Sequence, residues 1–183
     1  MGEDAYAESP GNIRDLALDS AQQLLALSAI ETEKPIILVL TEGRPRLISN
    51  IVPSCMAVVQ AYWGGRKAAE AIADVLSGKY NPSGRLPYSY PKSMGEMVLY
   101  DRKPTEDYRE IFNENLTMDG YDPLFAFGTG LSYTSFQYSP IQLSTKLLKK
   151  NQIMEVRLTV TNTGKLDGAH SVELYSRDIY ASV

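Results

Sequence analysis

The first half of the chain alternates between two kinds of apolar pattern. Unbroken aliphatic runs of a length that suits buried strands occupy Ile36–Leu40 and Ala57–Ala61. Such runs are typical of parallel strands, because both faces of a parallel sheet are covered. On either side of them, apolar residues recur at helical spacing. These are Leu24, Leu25, Leu27 and Ile30 in one helix and Ala68, Ala71, Ile72, Val75 and Leu76 in the other.

Polar residues, glycines and prolines mark the ends of these elements. Ser20 and Gln23 have capping-box spacing, which predicts that the first helix begins at Ser20 with the serine as its cap. Gly78 stands where a left-handed residue closes the second helix. With a short helical turn at 47–51, the order helix, strand, short helix, strand, helix predicts a layered α/β sandwich with a mostly parallel sheet.

The apolar period changes to two after residue 135. Val156, Leu158 and Val160 fall on one face of a predicted strand, and Ser171–Ser176 alternates in the same way. These are antiparallel strands of the kind found in β-sandwiches, but about three are present where a sandwich needs about seven. The chain therefore ends in an incomplete all-β segment. Between the two parts, residues 92–122 are polar and predict a long surface excursion.

Composition removes several classes of function. The net charge is −4 and the 18 Lys and Arg residues are scattered, which argues against a nucleic-acid partner. No run of about 18 apolar residues exists, so no membrane span is expected. One cysteine, Cys55, and one histidine, His170, cannot build a disulfide or a Cys/His zinc site. We expect neither a metal nor a cofactor, and the N-terminus has no signal-peptide pattern.

Two stretches carry candidate chemistry. Tyr62 and Trp63 follow the second strand, at the sheet edge where α/β proteins bind ligands. Their rings either stack on a sugar or belong to the core, and the sequence leaves both possibilities open. Residues 1–18 form an acidic loop that includes Glu3 and Glu8. This loop is either a solvated tail or an active-site loop that bears a catalytic carboxylate.

Three segments together resemble one family. They are AIADVLSGKYNPSGRLPYSYP at 71–91, DPLFAFGTGLSYTSFQYS at 122–139 and VTNTGKLDGAHSVELYSRD at 160–178. In order and spacing they are similar to the C-terminal portion of glycoside hydrolase family 3, which contains β-glucosidases, β-xylosidases and exo-glucanases. KPIILVLTEGRP at 34–45 fits the strand of that family before its Gly-Arg-Pro turn, so the resemblance covers nearly the whole chain.

The resemblance implies a domain division and a reaction. Residues 1–135 would form the α/β sandwich domain of the family, without its N-terminal strand, and residues 136–183 a partial fibronectin-III-like domain. Catalysis in the family resembles the retaining mechanism, in which two carboxylates about 5 Å apart attack the sugar and protonate the leaving oxygen. The attacking aspartate lies on a preceding (β/α)8 barrel, which this sequence lacks.

The resemblance also assigns the second carboxylate. In the family, the acid/base glutamate lies on a loop of the sandwich that reaches over the barrel, and residues 2–12 resemble that loop. Glu3 is the favoured acid/base and Glu8 is its competitor. The full-length protein would hydrolyse terminal β-glucosyl or β-xylosyl residues of a β-linked oligosaccharide or glycoside. Extracellular localisation is favoured by the resemblance alone.

One departure from the family leaves an alternative open. The family commonly has Pro-Gly, a glutamate and further glycines after the aromatic pair, whereas this chain has Gly64-Gly65-Arg66-Lys67. An acidic loop has become basic, which weakens the expectation of sugar contacts at this position. The alternative to a glycosidase fragment is a non-catalytic module that binds carbohydrate or another protein, or a pseudoenzyme remnant.

Overall fold

The computed structural model describes residues 1–94 and 123–176. Nearly all of the polar excursion expected at 92–122 lies outside the described residues. The described helices and strands are α1 Ser20–Glu31, β1 Ile37–Leu40, β2 Ala57–Gln60, α2 Ala68–Leu76, β3 Phe136–Tyr138, β4 Gln142–Leu143, β5 Val156–Arg157 and β6 Val160–Asn162. Their order confirms the α/β fold class expected from the apolar pattern.

A parallel pair of strands forms the centre of the N-terminal part. β1 and β2 pair in parallel from Ile37 opposite Ala57 to Leu40 opposite Gln60, as their aliphatic runs predict. The start of the chain pairs with the other edge of β1, through a parallel bridge between Gly2 and Thr41. Part of the predicted N-terminal loop is therefore extended backbone at the sheet edge.

Burial of β1 is one-sided, and this corrects the expectation that both faces are covered. Leu38 and Leu40 are 4% and 0% exposed, whereas Ile37 is 52% exposed. Successive side chains of a strand point to opposite faces. One face of β1 therefore packs on the core, and the other remains partly open in the described part of the chain.

The cap of α1 differs from the prediction by one residue. The helix begins at Ser20 as expected, but Asp19 is its N-cap, and Asp19 Oδ1 accepts hydrogen bonds from the backbone N–H groups of Ala21 and Gln22. The Gln22 side chain donates to Asp19 Oδ2 and, with the backbone bond, lowers the pKa of this carboxyl. An ionised carboxylate at a helix N-terminus also interacts well with the helix dipole, so aspartate takes this position in place of serine.

The core lies between α1, β1 and the segments that follow them. Its buried members are Leu18, Ala26, Leu38, Leu40, Ile48, Ile51 and Tyr90. Tyr90 comes from the turn-rich stretch after α2 and forms an antiparallel bridge with Phe125. The second family-like segment therefore contributes to the same core as the first. Within the described ranges, no helix has the length and apolar character that crossing a lipid bilayer requires.

The C-terminal part contains two short antiparallel pairs, β3 with β6 and β4 with β5. The single strand predicted through Val156, Leu158 and Val160 is wrong, because the chain changes partner between β5 and β6. The strand predicted at 171–176 is also absent from the described structure, in which no strand pairs with these residues. The division of the chain at residue 135 stays a prediction.

Gly78 gives a first testable prediction. Its φ is +76°, and no heavy atom lies within 4 Å of the position that a β-carbon would take. Gly78→Ala should lower the free energy of unfolding by about 1 kcal/mol in urea titrations, since alanine resists left-handed backbone. Gly84 has equally open surroundings without a left-handed φ, so Gly84→Ala is the matched control and should change stability little. Equal effects of the two substitutions would contradict this explanation.

Candidate active site

The start of the chain is fixed beside the end of β1 by two sets of hydrogen bonds. The Gln22 side chain accepts from Gly2 N at 2.7 Å and donates to Gly2 O at 2.9 Å. Thr41 N donates to Met1 O at 2.8 Å, and Glu3 N donates to Thr41 O at 3.1 Å. Helix α1 and strand β1 thus hold the backbone of Glu3 from two sides.

The Glu3 carboxylate lies in a cradle formed by the loop 43–46. Its Oε1 is 2.8 Å from Arg44 Nε and 3.5 Å from Arg46 Nη1, and its Oε2 accepts the backbone N–H groups of Gly43 and Arg44 at 3.3 and 3.4 Å. Only 6% of the Glu3 side chain is exposed. Charge-assisted bonds to both oxygens fix the orientation of this carboxylate.

Aromatic rings cover the outer side of the cradle. The Arg44 guanidinium carbon lies 3.9 Å from the centre of the Tyr6 ring, and this ring meets the edge of Trp63 at 4.6 Å between centroids. Burial is the main cause that raises the pKa of Tyr6, and the Glu3 charge adds to it. A β-carbon at Gly43 would lie 2.9 Å from the Tyr6 hydroxyl and 3.0 Å from a Trp63 ring carbon. A larger residue would have to displace these rings, so the close approach favours glycine where the loop passes under them.

A cavity of about 710 Å³ opens beside the cradle. Residues 1–6 line it together with Gln22, Thr41, Arg44 and Arg46. Its size lies in the range of small-molecule sites, and it combines acidic, basic and aromatic groups. Glu3 is therefore a carboxylate at a cavity wall.

Glu8, the competing candidate, has different surroundings. It is exposed, it has a left-handed φ of 51°, and it does not line this cavity. Its backbone carbonyl accepts from Gly11 N at 2.9 Å, which closes a tight turn. The structure therefore separates the two candidates, with Glu3 in the cradle and Glu8 at the surface.

Tyr62 and Trp63 point in different directions, although they are adjacent after β2. Tyr62 has a left-handed φ of 51°, and its ring stands perpendicular to that of Tyr88, with 6.5 Å between centroids. Burial raises the pKa of Tyr62. Trp63 is 45% exposed and contacts Tyr6. A left-handed φ in a bulky residue costs free energy and often occurs at functional sites.

Sequence reasoning missed Gln22, Arg44 and Arg46, which hold Glu3 and its backbone. It also missed Tyr90, whose hydroxyl bonds the backbone of Arg46, and Glu42, which contacts that hydroxyl. A signal existed for three of them, because Glu42, Arg44 and Arg46 follow β1 at the same sheet edge that singled out Tyr62 after β2. Gln22 and Tyr90 have no such local signal. Across residues 1–94 and 123–176, no group of three or more His, Cys, Asp or Glu side chains is arranged to hold a metal ion.

Comparison with known proteins shows the family to which this chain belongs. The family model described as glycosyl hydrolase family 3 C-terminal domain matches residues 1–133. The chain belongs to glycosyl hydrolase family 3. This confirms the resemblance drawn from the three sequence segments.

Similar proteins are longer than this chain. It is 38% identical to the lysosomal beta glucosidase of Dictyostelium discoideum, over 100% of this chain and 22% of that protein. It is 37% identical to a beta-xylosidase of Formosa agariphila, over 94% of this chain and 24% of that protein. Among solved structures, a beta-glucosidase from Listeria innocua superimposes with a TM-score of 0.77 at 28% identity, over 92% of this chain and 24% of that one. The chain thus spans 22% to 24% of the length of these relatives.

Proposed function

We propose that this chain is the C-terminal part of a retaining exo-β-glycosidase and supplies the acid/base carboxylate to a (β/α)8 barrel. The whole protein would hydrolyse terminal β-glucosyl or β-xylosyl residues and would need no cofactor. The observation that carries the proposal is the Glu3 carboxylate, held at the wall of a 710 Å³ cavity by Arg44 and backbone N–H groups. Family membership and the similarity to a beta glucosidase and a beta-xylosidase support the substrate class.

Fixed orientation suits the role proposed for Glu3. A general acid must meet the leaving oxygen at hydrogen-bond distance, and small displacements of such groups lower rates strongly. The bonds from Gln22 to Gly2 and from the loop 43–46 to Glu3 supply this precision within the present chain. The second carboxylate of the retaining pair would come from the barrel.

Glu8 is the alternative acid/base within the same proposal. Its exposed position would let it reach a partner domain that covers the sheet edge. The cradle and the cavity favour Glu3, and substitution of each glutamate by glutamine separates the two assignments.

Exposed apolar surface supports a partner domain. Leu24, Leu25 and Leu27 on α1 are 65%, 63% and 46% exposed, and Ile37 on β1 is 52% exposed. Large apolar side chains grouped on one helix commonly mark an interface. A further domain of a longer protein would cover such a surface, and the barrel is the domain that we propose.

A non-catalytic module that binds carbohydrate is the second candidate. The half-exposed ring of Trp63, next to Tyr6 at the cavity, is the observation that favours it. Aromatic rings at such positions offer an apolar face on which a sugar can stack.

The isolated 183-residue chain distinguishes the two candidates. A glycosidase fragment should not hydrolyse aryl β-glucosides or β-xylosides, because one carboxylate cannot complete a double displacement. It should also show no heat of binding with cello- or xylo-oligosaccharides in titration calorimetry. Saturable binding that Trp63→Ala abolishes would favour the module instead. Turnover by the isolated chain that Glu3→Gln removes would contradict the proposed need for the barrel.

A further inference from the structure

Glu42 is a buried carboxyl group for which the proposed reaction has no role. It follows β1 by two residues and is 0% exposed. Its Oε1 lies 2.8 Å from the Tyr90 hydroxyl, and its Oε2 has no hydrogen-bond partner among the described residues. Burying an ionised carboxylate without hydrogen-bond partners costs much more free energy than burying a neutral carboxylic acid.

The two short contacts between the Tyr90 hydroxyl and acceptor oxygens need two hydrogen atoms, and the hydroxyl carries one. Its oxygen accepts from Arg46 N at 3.1 Å and lies 2.8 Å from two acceptors, Arg46 O and Glu42 Oε1. A phenol carries one hydrogen and can donate it to only one of these oxygens. If Tyr90 donates to Arg46 O, the short contact with Glu42 needs a hydrogen on the carboxyl group. A protonated Glu42 then donates to Tyr90, and every oxygen contact is satisfied.

Among the described residues, the groups that shift the pKa of Glu42 include no cationic side chain. The titratable groups that act on it are the Glu3 carboxylate and the hydroxyls of Tyr62, Tyr88 and Tyr90. Arg46 directs its Nη1 toward Glu3 Oε1 and the carbonyl of Asp15 instead. Burial is the main cause that raises the pKa of Glu42, and the Glu3 charge adds to it; the nearby hydrogen-bonding groups of Tyr90, the Arg46 backbone and the Gln60 side chain only partly oppose this.

We propose that Glu42 is a neutral acid at neutral pH and a positioning residue, whose proton, with the Tyr90 hydroxyl, clamps the loop 43–46. Tyr90 bonds both backbone groups of Arg46, and this loop supplies the N–H groups and guanidinium groups that hold Glu3. Protonation of Glu42 does not depend on the proposed function. The importance of the loop for orienting an acid/base does rest on the proposed function. When Glu42 ionises, the single Tyr90 hydrogen can satisfy only one of Arg46 O and Glu42 Oε1, so the hold of Tyr90 on the loop weakens.

Infrared spectra of the full chain test the proton directly. Wild-type protein at pH 7 should show the C=O band of a protonated carboxylic acid, and Glu42→Gln should lack it. Glu70→Gln, at a carboxylate that is 59% exposed and paired with Lys67, is the matched control and should keep the band. Absence of any band that depends on Glu42 overturns the proposal. Should Glu42→Gln not fold, wild-type protein with ¹³C-labelled glutamate decides alone, by presence or absence of a protonated glutamate at pH 7.

Trp63, the only tryptophan of the chain, reports the position of the loop. It contacts the loop at Gly43, so its fluorescence should change as the pH rises and Glu42 ionises. The folding equilibrium constant should fall by up to about tenfold per pH unit between the unfolded and folded pKa values of Glu42, since the folded state binds the proton more tightly. Glu42→Gln, whose amide can still donate to Tyr90, should show neither change. Identical pH profiles in both proteins would overturn the positioning role. These measurements need neither a sugar nor the barrel, so their failure is distinct from a failure of the proposed function.

Discussion

Glu3→Gln should lower kcat/KM by about 10³-fold on a glucoside with a poor leaving group, once the chain is joined to a barrel. A suitable protein is a chimera in which residues 1–176 replace the matching segment of the beta-glucosidase from Listeria innocua, which superimposes with a TM-score of 0.77. The loss arises because glutamine cannot protonate the leaving oxygen. It should be far smaller on dinitrophenyl β-glucoside, since dinitrophenolate leaves without a proton.

Azide provides a second readout for the same variant. After the sugar is transferred to the barrel aspartate, water needs a general base to attack, whereas the azide anion does not. Azide should therefore accelerate the Glu3→Gln chimera on dinitrophenyl β-glucoside and yield β-glucosyl azide, the retained product. A variant that had only lost its fold would show neither the dependence on leaving group nor the azide product.

Glu8→Gln is the matched control, because it makes the same change in the same loop. We expect it to retain nearly the full activity of the unsubstituted chimera on both substrates. If Glu8→Gln shows the leaving-group dependence and the azide product while Glu3→Gln does not, the assignment is reversed. Full activity of both variants would exclude both residues as the acid/base.

The sequence predicted those parts of the fold that depend on local pattern. The aliphatic runs located β1 and β2 and their parallel pairing, and the spacing from Ala68 to Leu76 located α2. These features follow from residues close together in the chain. The one-sided burial of β1 and the change of partner between β5 and β6 do not, because they depend on which distant segment packs alongside.

The same distinction applies to the candidate site. Family resemblance pointed to Glu3, and Arg44 follows β1 at the sheet edge, but their contact could not be predicted, because the two residues are 41 positions apart and only the parallel pairing at Thr41 brings them together. Tyr90 comes from still farther along the chain, 44 positions after Arg46. Tyr90 belongs to no spacing pattern that would mark it as a partner of Arg46. Long-range hydrogen bonds of this kind appear only when the fold is known.

Tyr90→Phe should lower the free energy of unfolding by about 3 kcal/mol at neutral pH. The ring is 1% exposed and packs against Phe125 at 6.0 Å between centroids, so phenylalanine fits without a new cavity. What is lost is the hydroxyl, which lies within hydrogen-bond distance of Glu42 Oε1, Arg46 O and Arg46 N. Leaving these groups buried without a partner costs more than one ordinary hydrogen bond, because their water contacts are not restored.

Urea titration of the wild-type and variant chains measures this loss. Tyr80→Phe is the matched control, because Tyr80 is 57% exposed and the same change there should have an effect within about 0.5 kcal/mol. Equal stability of Tyr90→Phe and wild type would show that the hydroxyl does not clamp the loop 43–46. A loss near 3 kcal/mol, together with altered Trp63 fluorescence in the folded variant, would show that the Tyr90 hydroxyl stabilises the fold and fixes the loop 43–46. Through that loop, the buried core would then hold the Glu3 carboxylate in position.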